Sequence, residues 1–412
     1  MVCFPPSRGD FVSTPRPSLA IVGARVVPVE GEVIEEGTVL VREGVISAVG
    51  PRAEVEVPED VEVVDAAGRW VLPGLIDAHV HLGVWEEGEG WAGIDGNEST
   101  DPVMAAARAI DAINPREQGF DDAITAGVTT VNVNPGSANP IGGQAVALKT
   151  YGRYVDEMVL RNPSGVKAAL GENPKRVYGE QKKTPSTRLG VALVLRKAFS
   201  AARSYQARKA ASDSPVDTDL VSEALLLVLE REIPWRQHCH RADDIATAIR
   251  LAEEFGYRLV LDHGTEAYLV ADLVAQHDVP VLYGPMIVSR SKVEVRHRTP
   301  KAPGILDRAG VEVSIITDHP VVPIDYLITQ VALAVREGME RDAALRAVTI
   351  NPARVLGVED RVGSLVAGKD ADLALWSGDP LDLQSRVLRT WIDGVEVYAY
   401  DEEAGSGQVL PR

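Results

Sequence analysis

The sequence predicts an α/β chain, a (β/α)8 TIM-like barrel with a small β-sandwich built from both chain ends. Three observations carry this reading. Between about residues 73 and 355, short apolar β-runs alternate with longer helical stretches, the pattern of βα units around a parallel sheet. These runs fall near 75–80, 128–133, 145–149, 165–170, 234–239, 258–262, 279–283 and 311–317, and a closed barrel requires eight strands. Both flanks, by contrast, are β-rich with Gly- and Pro-marked turns.

Taken in order, residues 1–18 are rich in Pro, Ser and Arg, lack a hydrophobic stretch and read as a tail rather than a signal peptide. Residues 19–72 carry a β-run from Leu19 to Val29, two strands around a Glu43-Gly44 turn and a short strand at Val61–Asp65. The barrel segment, 73–355, includes helices at Asp243–Glu254, Asp325–Glu337 and Glu340–Val348, the first opening on acidic residues as a helix N-terminus prefers. Its longest insertion, 171–233, reads as a basic, Pro-containing loop and two helices. Residues 356–412 return to β-character over 363–400 and complete the sandwich with 19–72; Ala404 to Arg412 read as frayed.

Composition is that of an ordinary globular protein, 45% apolar and 25% charged. A net charge of −18 argues against nucleic acid or an anionic membrane as partner. No apolar run approaches the ~20 residues of a membrane span. Two cysteines, Cys3 and Cys239, make no disulfide framework and suit a reducing cytoplasm. A homo-oligomer acting on a small molecule is expected.

Of eight histidines, His79, His81, His238, His240, His263 and His319 lie at or just past predicted strand ends, where a barrel concentrates function. His79 and His81 are two apart on a strand, so both point to one face and can share a cation. His238 and His240 repeat that spacing; His238 is favoured as ligand, with His240 left to hold substrate or donate a hydrogen bond. His263 follows a buried-type strand, and Asp318 ends the apolar run from Val311 to Thr317. His319 points elsewhere, toward an outer-shell role. Imidazoles with a late carboxylate suit zinc, which keeps one position open in catalytic sites. Manganese or iron would also be tolerated.

These residues resemble the amidohydrolase superfamily, in particular its imidazolonepropionase-related and metal-dipeptidase branch. The likeness runs over nearly the whole chain: Val71-Leu72-Pro73-Gly74-Leu75-Ile76-Asp77-Ala78-His79-Val80-His81, the strand-end His238 and His263, Thr317-Asp318-His319-Pro320, Asn351-Pro352-Ala353, and Gly363 to Leu373. The resemblance implies one or two divalent metals held by His79, His81, His238, His263 and Asp318. It also implies a ligand from the fourth strand, a carboxylated lysine or a glutamate. Here Lys167 and Glu172 compete for that role. Glu172, at the strand end, is the preferred candidate, Lys167 the alternative and Lys149 a third.

The chemistry expected is hydrolysis of a C–N bond in an amide, cyclic amide, N-acyl amino acid or dipeptide. Water activated by the metal attacks, Asp318 serves as general base and then general acid, and His240 aids the oxyanion. Deamination or ester or lactone hydrolysis on the same scaffold, and a metal-free binding protein, are the alternatives. Over 174–190, Lys175, Arg176, Lys182, Lys183 and Arg188 face one acid, Glu180, so a basic loop with Lys175 and Arg176 is expected to select a carboxylate-bearing substrate. Gly142 and Gly143 allow close approach to a ligand or a neighbouring loop, and Tyr283 is placed on the pocket wall.

Overall fold

The computed structural model describes residues 17–412, so Cys3 and nearly all of the expected tail lie outside the described residues. Among the described residues, seventeen strands form two sheets. One is the barrel: β6 (Leu75–Val80), β7 (Val128–Val133), β8 (Ile141–Lys149), β9 (Val159–Ala169), β10 (Trp235–Cys239), β11 (Leu259–His263), β12 (Val281–Tyr283) and β13 (Val313–Ile315), hydrogen-bonded in chain order. The chain is thus a TIM-like barrel with a second unit beside it. Among the described residues no ladder joins β6 to β13. Asp318 N donates to His79 O (3.2 Å) and His81 N to His319 O (2.9 Å), and these bonds bring the first and last strands together beyond the ladder.

The barrel departs from the expected all-parallel order at one strand. β8 runs antiparallel to both β7 and β9. Its C-terminal end, Lys149, therefore lies at the rim opposite the strand ends that carry the histidines. The same reversal puts Ile141-Gly142-Gly143-Gln144 inside β8 at the upper rim. A Cβ on Gly143 would lie 2.5 Å from Ala107 O, so that glycine admits a neighbouring loop, not a ligand.

Strand alternation builds two apolar layers. Val166, Trp235, Leu259, Leu261, Val281 and Val313 pack outward in the cluster that contains Phe120, Leu195, Phe199 and Ile245 of the surrounding helices. Val260, Leu282 and the nearby Ile316 cluster with Ile76, Ala78 and the helix Ile350–Leu356. The insertion holds three helices, Glu172–Glu180, Arg188–Ala211 and Leu220–Leu229, so Lys175 and Arg176 belong to a helix and not to the expected loop.

The second sheet contains β1 (Leu19–Val26), β2 (Ile34–Arg42), β3 (Val45–Pro51), β4 (Glu62–Asp65), β5 (Trp70–Pro73), β14 (Leu373–Trp376), β15 (Val387–Ile392), β16 (Val395–Asp401) and β17 (Ser406–Val409). The Glu43-Gly44 turn has φ of 51° and 77°, the left-handed pair that a two-residue hairpin favours. Both chain ends contribute strands, joined where β14 pairs antiparallel with β5, and hydrogen bonding runs through all nine as one continuous sheet. The stretch 404–412 is not frayed: β17 pairs with β16, and Arg412 Nη2 reaches Asp121 Oδ1 at 2.5 Å.

Candidate metal centre

His79 lies one residue before the end of the fully buried strand β6, and His81 follows it. Their ring centroids lie 5.5 Å apart, and each Nε2 is 3.3 Å from the same oxygen, Asp318 Oδ1. The ligand atoms of these three residues all fall within 4.8 Å of one another. His263 extends the group, its ring 4.8 Å from that of His79, 4.4 Å from His238 and 5.1 Å from His240. Both His263 (φ 73°) and Asp318 (φ 58°) sit in the left-handed region, which costs a non-glycine residue on the order of 1 kcal/mol and is characteristic of functional sites.

The other ring nitrogens decide what these contacts are. His81 Nδ1 lies 2.8 Å from Asn134 O, and His263 Nδ1 lies 2.9 Å from Gly284 O. His79 Nδ1 is 3.2 Å from Asp262 Oδ2. A carbonyl oxygen only accepts, so Nδ1 of His81 and of His263 carries the proton and Nε2 presents a lone pair. His79 Nδ1 meets Asp262 without hydrogen-bond geometry, but its Nε2 lies 3.2 Å from the donor Lys167 Nζ and so presents a lone pair as well. Burial pushes His263 down to about 3 and lowers His81, His238 and His240, which keeps the rings neutral. Lone pairs and an anionic oxygen thus converge without a proton between them. A divalent cation is what such a donor set accommodates, and the residues present fit it. His238 Nδ1 and His240 Nε2, both buried without a partner, add two free nitrogens.

On the fourth barrel strand the structure brings Lys167, and not the preferred Glu172, beside the histidines. Lys167 is fully buried, with Nζ 3.2 Å from His79 Nε2 and 3.4 Å from Pro135 O, and burial lowers it to about 8. Glu172, past the strand, opens a helix and lies outside the converging set. Lys149 is at the opposite rim with Asp370, Asp372 and Asp393. Lys175 and Arg176 are exposed. Tyr283 belongs to the outer apolar layer and its hydroxyl donates to Thr299 O (2.9 Å), so it is not brought to the site. His319 does point away. Its Nδ1 accepts from Ile324 N (3.2 Å), so Nε2 bears the proton, and that nitrogen lies 3.9 Å from Glu87 Oε2 without a hydrogen-bond partner.

Several residues escaped the sequence reading. Asp262 lies against His79 and accepts from Arg236 Nη2 (2.9 Å), which in turn donates to Ala78 O (2.7 Å). Burial would raise Asp262; Arg236 and then His79 drive it below its ordinary value. Asp77 ties the first strand to the last, accepting from Thr317 Oγ1 (2.6 Å), and burial raises it to about 6. Charged residues inside apolar strand runs were the available signal for Asp262 and Arg236. Nothing in local spacing pointed to Asn134.

The family profile described as the amidohydrolase family matches residues 70–397. The chain belongs to the amidohydrolase family. Amidohydrolase tasK of Hapsidospora irregularis is 31% identical over 386 residues, covering 87% of this chain, but the chain spans only 39% of that relative. An imidazolonepropionase of Mesorhizobium japonicum is 27% identical, covering 84% of this chain and 87% of the relative. The crystal structure of an amidohydrolase from Thermotoga maritima MSB8 superposes with a TM-score of 0.90 at 44% identity, covering 93% of this chain and all of that one. This amidohydrolase is accordingly a hydrolase. Among its described residues no helix is long and apolar enough to cross a membrane.

Proposed function

We propose that this amidohydrolase is a metal-dependent enzyme that hydrolyses an amide-type C–N bond in a small, carboxylate-bearing molecule. The observation that carries the reading is the convergence of two proton-free imidazole nitrogens, from His79 and His81, on the Asp318 carboxylate. His79, His81 and Asp318 would hold one ion, and His238 and His263 a second. Lys167, beside His79, would supply a further oxygen ligand once carboxylated. An amine whose burial lowers it to about 8 has a neutral, nucleophilic fraction near neutral pH, the form that condenses with CO2. Zinc is the proposed ion because the donors are nitrogen and oxygen; when bound it lowers the pKa of water from 15.7 toward about 7 and draws charge from a carbonyl oxygen.

Asp318 takes a proton from the attacking water as the new C–O bond forms, and returns it to the nitrogen as the C–N bond breaks. The products are a carboxylic acid and an amine. His240, anchored through Nδ1 to Thr265 Oγ1 (2.8 Å), keeps Nε2 free to face the developing oxyanion. Asp262 lies against His79 and, with Arg236, does not touch substrate. The relatives named imidazolonepropionase favour a substrate of this kind, since that name denotes a ring amide carrying a propionate.

Asp318→Asn tests the base. It is expected to retain fold and most bound zinc while losing about 10²- to 10⁴-fold in kcat. Amine release in the assay, as against ammonia release, separates amide hydrolysis from deamination. A fully active Asp318→Asn enzyme would remove Asp318 from the mechanism.

A further inference from the structure

Lys292 lies on the loop after β12 and is partly buried. Its ammonium donates to Asn173 Oδ1 (3.3 Å), and the same side-chain amide places Nδ2 3.4 Å from His238 Nε2 and 2.9 Å from Ser137 Oγ. A single carboxamide therefore separates Lys292 from the metal-site histidines. Its charge acts on both His238 and His240. Among the described residues it forms no ion pair, and one hydrogen bond leaves two of its three donors unused. Glu294, Asp318 and Glu172 reach it only as more distant charges.

The loop holds this cation in place. Two residues on, Glu294 is buried and its carboxylate pairs with Arg188, which also binds Asp244 (3.1 Å). His297 Nδ1 is 2.8 Å from Glu266 Oε1. A partly desolvated, anchored and unpaired ammonium beside a catalytic cluster is an anion-binding element. Lys175 and Arg176, which the sequence suggested for this task, are exposed on a helix.

Building on the hydrolase reading above, we infer that Lys292 is the specificity determinant, binding the carboxylate of an N-acylated α-amino acid, dipeptides included. Only one amide lies between the ammonium and His238. That spacing suits a carboxylate one carbon from the scissile nitrogen better than one on a longer arm.

The test uses zinc-loaded wild type, Lys292→Met and Lys292→Arg, titrated calorimetrically with N-acetyl-L-alanine and its carboxamide. Wild type is expected to prefer the acid, and Lys292→Met to lose about 10- to 100-fold of that preference, the range of a charge-assisted hydrogen bond. Lys292→Arg keeps most of it. A merely structural lysine would weaken acid and carboxamide together and leave the preference unchanged, which overturns the assignment; so does a wild type with no preference. Amine release from the same acid is assayed in parallel. Binding through Lys292 without hydrolysis would overturn the hydrolytic reading and leave the lysine assignment standing, so the two fail separately.

Discussion

Two fully or nearly buried lysines mark opposite ends of the barrel, and their surroundings differ completely. Lys149, at the lower rim, donates to Asp370 (2.9 Å), Asp372 (3.0 Å) and Asp393 (2.8 Å). Burial alone would lower it, but Asp372, Asp393 and Asp370 outweigh that and raise it above its ordinary value. Lys167, on the strand beside it, has no carboxylate at hydrogen-bond distance among the described residues; a ring nitrogen and a carbonyl are its neighbours, and burial lowers it to about 8. A buried charge that is saturated by partners holds structure together. One left short of partners is available for chemistry.

Substituting the two lysines in the same way breaks this comparison most directly. Lys167→Met is expected to reduce kcat/KM by at least about 100-fold, as the loss of a group ordering a metal site does. Its melting temperature should hardly change, because an underpartnered buried amine contributes little to stability. Activity and thermal melting measured on one preparation check this, and a joint fall in both would make Lys167 structural.

Lys149→Met should do the reverse. It leaves the buried Asp370 and Asp372 and the half-buried Asp393 around an apolar side chain. Removing one partner of a buried ion cluster costs about 3–5 kcal/mol, visible as a lower urea midpoint. The protein that remains folded should turn over within a few-fold of wild type, since the site lies at the other rim.

The same contrast explains what was legible in the sequence. All eight barrel strands overlap their expected positions, because burial on both faces writes long apolar runs into the chain. His79, His81, His263 and Asp318 were legible because each sits at a strand end. The direction of β8 was not, since an apolar run carries no sign of its polarity, and Lys149 was therefore placed at the wrong rim. Glu172 was preferred to Lys167 on the assumption that ligands lie past the strand. The pleat, not the strand end, decides: Lys167 pairs in register with Arg236 and both side chains enter the barrel. Lys292 lies 119 residues from the Asn173 it meets, a contact no local pattern encodes.

The smallest effect sharpens the comparison at the lower rim. Burial, only partly offset by Lys149, raises the Asp372 carboxyl from 3.8 to about 6. Between those values the unfolded chain has released a proton that the folded protein keeps. The folded state then binds more protons, so stability falls as pH rises through this window and levels off above it. A shift of about two units corresponds to roughly 2–3 kcal/mol. Asp372→Asn removes this contribution while leaving an oxygen to accept from Lys149 Nζ (3.0 Å) and Asp393 N (2.9 Å). The new amide takes the place of Oδ2, which is buried without a partner. Urea midpoints measured from pH 4 to 8 should show the variant gaining on wild type as pH rises to about 6, then holding a constant lead. Parallel curves would place the retained proton on another acid of the cluster, and the lower rim would still be saturated, but with its charges shared differently around Lys149.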